Sequence, residues 1–361
     1  MKEKYEQNIK LIHLGIIILC LMVLIFSFTT SYAQSKSKEP IVMVLSSHEM
    51  PGGVWVTDFF EPWLAELERR TGGRVKVEAH YAEELAKVPD AFDAATKGVV
   101  DIAQFMPPMN PGRFPMDEIF MLPPYDDRCL RPSRVYWELF KKYPEMQKPY
   151  AGVKTLWLGT TFMTAIATKK KPILTLEDNK GMKMIVSGKW AAIRGESLGW
   201  TPLAIPPSGV YTALERGVAD GGGIAALFCL RDFKWGDHLK HVTLVPFNRT
   251  IFSCVMNIDK WNSLPKDIQE IIDGMTDYVL DLFDKVQLRA HRDRMASAPK
   301  EFGTKFYTLT PEEISRWIEV DKSVAENLIA DFEKKGLPGR DFYNDYIRLE
   351  KKYSSQEFDF K

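Results

Sequence analysis

The sequence predicts an α/β protein built from two similarly wound lobes. Three observations carry that prediction. Strand-like and helix-like segments alternate from Pro40 to about Gly223, the order that produces open sheets covered by helices. The alternation restarts once, near Gly152. One decapeptide also recurs without a gap: FDAATKGVVD (Phe92 to Asp101) against YTALERGVAD (Tyr211 to Asp220). Both read aromatic, any, Ala, small or Leu, any, cation, Gly, Val, small apolar, Asp.

At the N-terminus, Lys2, Lys4 and Lys10 precede the apolar run LGIIILCLMVLIFSF, and TTSYAQ follows with small residues at Ser31 and Ala33. A basic segment, an apolar segment and a small-residue cleavage site make a secretory signal. The run is short for a membrane span, and no Lys/Arg cluster closes it. Residues 1–33 are therefore read as a cleavable signal peptide, with a retained membrane anchor as the competing reading. Leu19 before Cys20 argues against a lipoprotein anchor.

The polar leader QSKSKEP opens the mature chain, and the apolar run PIVMVLSSH after it reads as a buried parallel strand. GGVWVTDFFEPWLAELERRTGG spaces Val56, Phe59, Phe60, Trp63, Leu64 and Leu67 as a helix and stops at Gly-Gly. RVKVEAHY alternates as a strand, PDAFDAATKG is a short helix with Pro89 in its first turn, and VVDIAQFM is a strand. That order means an open parallel sheet.

In the second region GVKTLWLG, FMTAIATK and MKMIVSG are strands, with TLEDNKG a turn between the last two. KWAAIRGESLG is a helix, WTPLAIP a strand, and PSGVYTALERG a helix capped by Ser208. VADGGGIAAL returns to the sheet. The repeated decapeptide is then one helix-to-strand joint per lobe. Lys97 or Arg216 suits the negative helix end, Gly98 or Gly217 supplies a left-handed cap, and Asp101 or Asp220 falls where the next strand starts.

IFSCVMNIDKW is a further strand. LPKDIQEIIDGMTDYVLDLFDKVQLRAHRDRMASAP reads as one long helix from Pro265 to Pro299, tolerating Gly274 inside and long enough to cross both lobes. LTPEEISRWIEVDKSVAENLIADFEKKG opens on a cap at Thr310, Pro311 and Glu313.

Composition narrows the function. Forty-eight basic residues balance 48 acidic ones, which removes the electrostatic basis for nucleic-acid binding. Beyond the signal only Cys129, Cys229 and Cys254 remain, too few for a disulfide scaffold. Asp220 to Gly223 lacks the spacing of a phosphate or dinucleotide loop and reads as a turn where backbone must pass close to something. His238 and His241 lack a third metal ligand nearby and read as surface histidines. Cys254, in an apolar strand, reads as a buried inert thiol. No nucleophile elbow or HExxH motif is present, so no catalytic residues, metal site or cofactor are assigned.

Trp55, Phe105 (with Gln104 beside it), Trp190, Tyr211 and Phe228 lie near strand–helix joints, where open α/β sheets bind ligands. Trp190, at a helix start, is expected to face a cleft.

RTGGRVKVEAHY, FDAATKGVVDIAQF, KKPILTLEDNKGMKMIV, SLGWTPLAIPPSGVYTALERGVADG and MNIDKWNSLPKDIQEII resemble, in order and spacing, the solute-binding proteins of tripartite ATP-independent periplasmic (TRAP) transporters, the DctP-like family. The resemblance covers residues 40–345. It implies a two-lobe periplasmic-binding-protein clamshell with a central ligand cleft, crossing strands near Gly159–Thr164 and Arg249–Cys254, and a long helix on both lobes. It also implies a periplasmic receptor, not an enzyme, that hands a small organic acid to an integral membrane permease driven by an ion gradient, often sodium. The expected division is lobe I at 34–162 plus 250–285, lobe II at 163–249 plus 286–345, and a tail at 346–361.

The family's ligand-gripping residues fall, position by position, on Ile185 for the main arginine, Thr164 for the second arginine and Ile224 for an asparagine. All three differ. A fork of arginine on carboxylate fixes geometry and charge, and isoleucine offers neither. The expected cleft is therefore apolar, its guest an aromatic or weakly polar organic acid met by a relocated cation such as Arg113, Lys189 or Arg231. A neutral ligand is the competitor. An exported two-lobe enzyme, or a sensor presenting ligand to a membrane kinase, are the alternative functions.

Overall fold

The structure is a computed structural model that describes residues 39–122, 129–162, 165–225 and 227–354. The signal segment and Thr164 lie outside these residues. In chain order the strands are β1 (Ile41–Ser46), β2 (Val75–His80), β3 (Ile102–Phe105), β4 (Val153–Thr160), β5 (Ala165–Thr168), β6 (Lys183–Val186), β7 (Thr201–Ala204), β8 (Gly221–Ala225), β9 (His241–Thr243), β10 (Ile251–Asn257) and β11 (Lys305–Tyr307). The helices that matter here are α1 (Glu61–Arg70), α2 (Ala91–Thr96), α3 (Pro132–Lys142), α4 (Lys189–Ser197), α5 (Pro207–Glu215), α6 (Lys266–Asp273), α7 (Thr276–Phe302), α8 (Pro311–Lys334) and α9 (Gly339–Ser354).

Two sheets form, ordered β2-β1-β3-β10-β4 and β11-β9-β5-β8-β6-β7. In the first, β2, β1 and β3 run parallel, while β10 is antiparallel to both β3 and β4. In the second, β7, β6 and β8 run parallel and β5 is antiparallel to β8. Each lobe is thus a parallel trio joined to one antiparallel strand, so the sheets are mixed where the local pattern implied parallel ones. The reason is connectivity. β5 and β10 are the strands by which the chain enters each lobe from the other, and they arrive from the opposite side.

The two crossing segments run side by side. Thr161 N–H donates to the Thr250 carbonyl at 2.9 Å, and Thr250 N–H returns to Thr161 Oγ1 at 2.9 Å. Arg249, fully buried, anchors this crossing by donating to the Thr161 carbonyl at 3.0 Å and to Glu350 of α9 at 2.8 Å.

At the repeated joints, Gly98 and Gly217 both sit at φ +70, the left-handed region that costs glycine nothing. The bonds around them match as well: Val99 N–H reaches Ala94 and Val218 N–H reaches Ala213, each at 2.9 Å. In the Asp-Gly-Gly-Gly run, a Cβ on Gly223 would lie 2.2 Å from the Phe247 ring. These glycines belong to strand β8, where Gly223 admits that ring and Gly221 admits the Ala167 carbonyl of β5; they form no turn.

Three boundaries differ from the sequence reading. The long helix is broken: α6 ends at Asp273 with Gly274 as its cap, and α7 starts at Thr276, running through Pro299 to Phe302. Glycine's low helix propensity, about 1 kcal/mol against alanine, acts at the point where the chain turns. α5 starts on Pro207 with no side-chain cap, so Ser208 does not cap it. The chain after residue 345 is no tail as far as Ser354, because α9 runs through that boundary with Phe342, Tyr346 and Leu349 buried. Still, α7 by itself reaches both lobes. Phe283 packs against Gly159 of β4, and the Phe302 carbonyl accepts Lys240 Nζ at 2.8 Å.

Candidate ligand-binding cleft

Open parallel sheets present their loops at the carboxyl ends of the strands, and here those ends face each other. Behind β1 come His48 and Glu49; behind β3, Met106; behind β6, Ser187; behind β7, Ile205 and Pro207. Thr250 and Phe252 join them from the start of antiparallel β10, and Val210, Phe228, Cys229, Phe233 and Trp235 complete the wall with Ile185. Together they line one cleft between the two sheets, the kind of concave, mostly apolar place where small molecules bind.

The lining is mostly apolar. Phe228, Phe233, Trp235 and Phe252 supply aromatic surface, and Trp55 stands behind the wall with its ring 5.7 Å from Phe228 and 6.0 Å from Phe252. Among the described residues that line the cavity there is no lysine or arginine. The three proposed substitutes lie elsewhere. Arg113 pairs with Asp93 at 2.6 Å and stacks on Phe92. Lys189 pairs with Asp331 at 3.3 Å, and Arg231 is exposed. Arg249, next in sequence to the lining residue Thr250, turns its guanidinium away to Glu350.

The polar content of the cleft is concentrated at one point. His48 Nε2 lies 3.5 Å from Glu49 Oε1, and that oxygen also receives the Gln104 amide at 3.4 Å. Ser47 Oγ donates to Gln104 Oε1 at 2.6 Å, fixing the amide's direction. Burial pushes the Glu49 carboxyl up to about 8, against the Gln104 hydrogen bond and with repulsion from Asp232 added. Burial likewise holds the His48 imidazole down to about 4, against the pull of Glu83. At neutral pH both groups are therefore uncharged. Cys229 is kept a thiol by burial.

Of the nine residues named from sequence, Ile185 and Phe228 line the cavity. Trp55 backs the Phe228 and Phe252 rings, and Gln104 holds Glu49. Phe105 points into lobe I, 5.1 Å from Phe92. Trp190 is buried in a core cluster with Phe247, Trp317 and Leu328, and does not line the cleft. Tyr211 turns to His238, the rings 4.8 Å apart. Ile224 lies on β8, its side chain outside the described residues, and Thr164 falls outside them altogether. His238 and His241 are half-buried and serve different partners, Tyr211 and Tyr307, in place of a shared surface. Cys254 is fully buried, as its apolar strand implied. His48 and Glu49 were missed, although two titratable residues directly after a buried parallel strand are a legible signal.

The sequence matches the family described as bacterial extracellular solute-binding protein, family 7, over residues 46–335. The C4-dicarboxylate-binding periplasmic protein DctP of Rhodobacter capsulatus is 27% identical over 305 residues, covering 78% of this chain and 84% of that protein. The fold resembles a TRAP solute-binding protein from Rhodoferax ferrireducens T118 solved with copurified benzoate, at TM-score 0.81 and 24% identity, covering 87% of this chain and 98% of that one. It also resembles a TRAP periplasmic solute-binding protein from Bordetella bronchiseptica with bound (R)- and (S)-mandelate, at TM-score 0.77 and 26% identity, covering 87% and 99%.

Proposed function

The chain belongs to bacterial extracellular solute-binding protein family 7, and on that premise we propose that it captures a small, weakly polar organic acid with an aromatic body and delivers it from the periplasm to a TRAP-type membrane permease. The observation that carries this reading is the lining of the cleft. Aromatic walls from both lobes surround it, and no lysine or arginine is among the described residues that line it. A dicarboxylate brings two charges that such a wall cannot neutralise, and burying an unpaired ion is costly. A single carboxyl on an aromatic ring leaves most of its surface to stack against Phe228 and Phe252. The benzoate and mandelate carried by two solved structures of similar fold support that class.

Binding requires no chemistry. Because the walls come from both sheets, a guest that touches both favours the closed arrangement over the open one through that difference in contact alone. The partner permease would then read the closed form. Native mass spectrometry of the purified protein tests the ligand class. The expected result is a chain carrying one small organic acid. A co-purified dicarboxylate, or a neutral or cationic solute, would replace the class named here, and chemical conversion of the guest on incubation would replace the receptor reading with an enzyme.

A further inference from the structure

The cleft offers no fixed positive charge, yet an organic acid needs a partner for its carboxyl group. Besides the Cys229 thiol, the titratable residues lining the cavity are His48 and Glu49, and both are buried, at 6% and 2% exposure. Glu49 Oε1 is engaged by Gln104 and His48. Among the described residues no hydrogen bond reaches its second oxygen, Oε2. Nearby, the Trp235 indole N–H and the His48 Nδ1 have no hydrogen-bond partner. The indole can only donate, so it lacks an acceptor. A carboxylate brings acceptors on two oxygens, enough for the indole and for a carboxylic O–H together.

Resting on the reading of an organic-acid receptor, we propose that Glu49 is the polar anchor of the bound solute: its carboxylic O–H donates to the solute's carboxylate, so that one proton is held between two carboxyl groups where a guanidinium would otherwise sit. Burial keeps that proton in place. From its own segment Glu49 meets the uncharged His48, and from β3 the Gln104 amide, whose hydrogen bond to Oε1 works against the proton. From the short helix Cys229–Asp232 it meets a protonated thiol and the repelling carboxyl of Asp232. Glu83 acts on the His48 side, and Arg294 of α7 acts on Asp232. A hydrogen bond between an acid and an anion is short and charge-assisted, and the anion's own oxygen takes the place of the missing acceptor. The ligand class follows: a monocarboxylate with an apolar body, since one shared proton answers one carboxylate.

The proton balance gives the test. Below about pH 8 Glu49 already carries the proton, and binding takes none from solvent. Above it, each binding event takes up a proton, and affinity falls about tenfold per pH unit. Calorimetric titration of the full chain with benzoate, with benzylamine as the cation of similar shape, is run from pH 6 to 9 in buffers of different ionisation enthalpy. Proton uptake is expected to rise from near zero toward one across pH 8. Glu49→Gln, which keeps a weaker donor but cannot titrate, is expected to bind benzoate several-fold more weakly at pH 6 and to lose the fall above pH 8. Glu49→Ala loses roughly ten- to hundredfold. Benzoate binding that is equally tight at pH 6 and 9 would overturn the role of Glu49 and leave the receptor reading standing. Failure of benzoate at every pH, with benzylamine bound, would overturn both.

Discussion

Asp101 and Asp220 make the same reciprocal pair in the two lobes. The Asp101 carboxylate accepts the Val44 N–H at 2.8 Å while its own N–H donates to the Val44 carbonyl at 3.0 Å. Asp220 does this with Lys183, at 3.0 and 2.8 Å. Each aspartate stands one residue before a parallel strand and closes off the hydrogen-bond ladder of the central strand beside it. This is the physical content of the repeated decapeptide.

Removing either carboxylate leaves a strand N–H without its partner. Asp101→Ala should lower the unfolding free energy by roughly 1–3 kcal/mol, and Asp220→Ala, whose bond is solvent-exposed, by roughly 0.5–1.5 kcal/mol. The sites lie in different lobes with no shared partner, so the double variant should show the sum. Urea unfolding of the two single variants and the double variant measures this.

Arg194, fully buried in α4, is held by Asp321 of α8 with Nη2 to Oδ2 at 3.0 Å, and it also donates to the Pro246 carbonyl at 3.1 Å. Asp321→Ala strands a buried guanidinium. It should cost about 3–5 kcal/mol and be read as a large drop in urea midpoint. Surface pairs such as Arg340 with Glu326 should move that midpoint little on truncation, because solvent screens exposed charges.

Trp190→Ala and Phe228→Ala should separate stability from binding. Trp190 is a core residue, and its truncation should cost about 3–5 kcal/mol of stability with ligand affinity changed little. Phe228 lines the cleft, so its loss should weaken binding roughly tenfold. Thermal melts and titration of both variants check the contrast, and a Trp190→Ala protein that stays stable but loses binding would move that residue into the site.

Asp117 and Asp284 set a pH dependence. Burial lifts Asp117 to about 7 although Tyr136 and Tyr150 both donate to it, the latter at 2.6 Å. Burial lifts Asp284 to about 7 as well, despite the Ser133 hydroxyl at 2.7 Å. Between an unfolded value of about 4 and about 7, the folded chain binds the extra protons, so their contribution is full at low pH and falls as pH rises through that window. Buried, neutral His48 acts oppositely, its contribution falling as pH drops from 6.5 toward about 4. Comparing each variant with wild type isolates the carboxyls. Asp117→Asn and Asp284→Asn should each be relatively more stable at pH 8 than at pH 5, as measured by urea midpoints at both.

The strands of each parallel trio were legible because their hydrophobic runs and glycine stops are local signals, while their order across the sheet was not read. The antiparallel entry of β5 and β10 was not, since it depends on where the chain crosses between lobes. The aromatic residues show the same limit. Trp55, Phe105, Trp190, Tyr211 and Phe228 all sit near joints, but a joint has a core side and a cleft side, and side-chain direction is set by packing that no short window records. Ile185 was placed by the family resemblance, which sets it where the main arginine falls, and not by any local pattern. Glu49 was readable in principle from SSHEMP, a polar break at the carboxyl end of a buried strand.

The central claim is that the space between the sheets takes a weakly polar aromatic monoacid. Titration calorimetry at pH 6.5 with benzoate and with succinate tests it most directly. The account predicts saturable one-to-one binding of benzoate with micromolar affinity, about −8 kcal/mol, and far weaker binding of succinate. Tight succinate binding with no response to benzoate would contradict it.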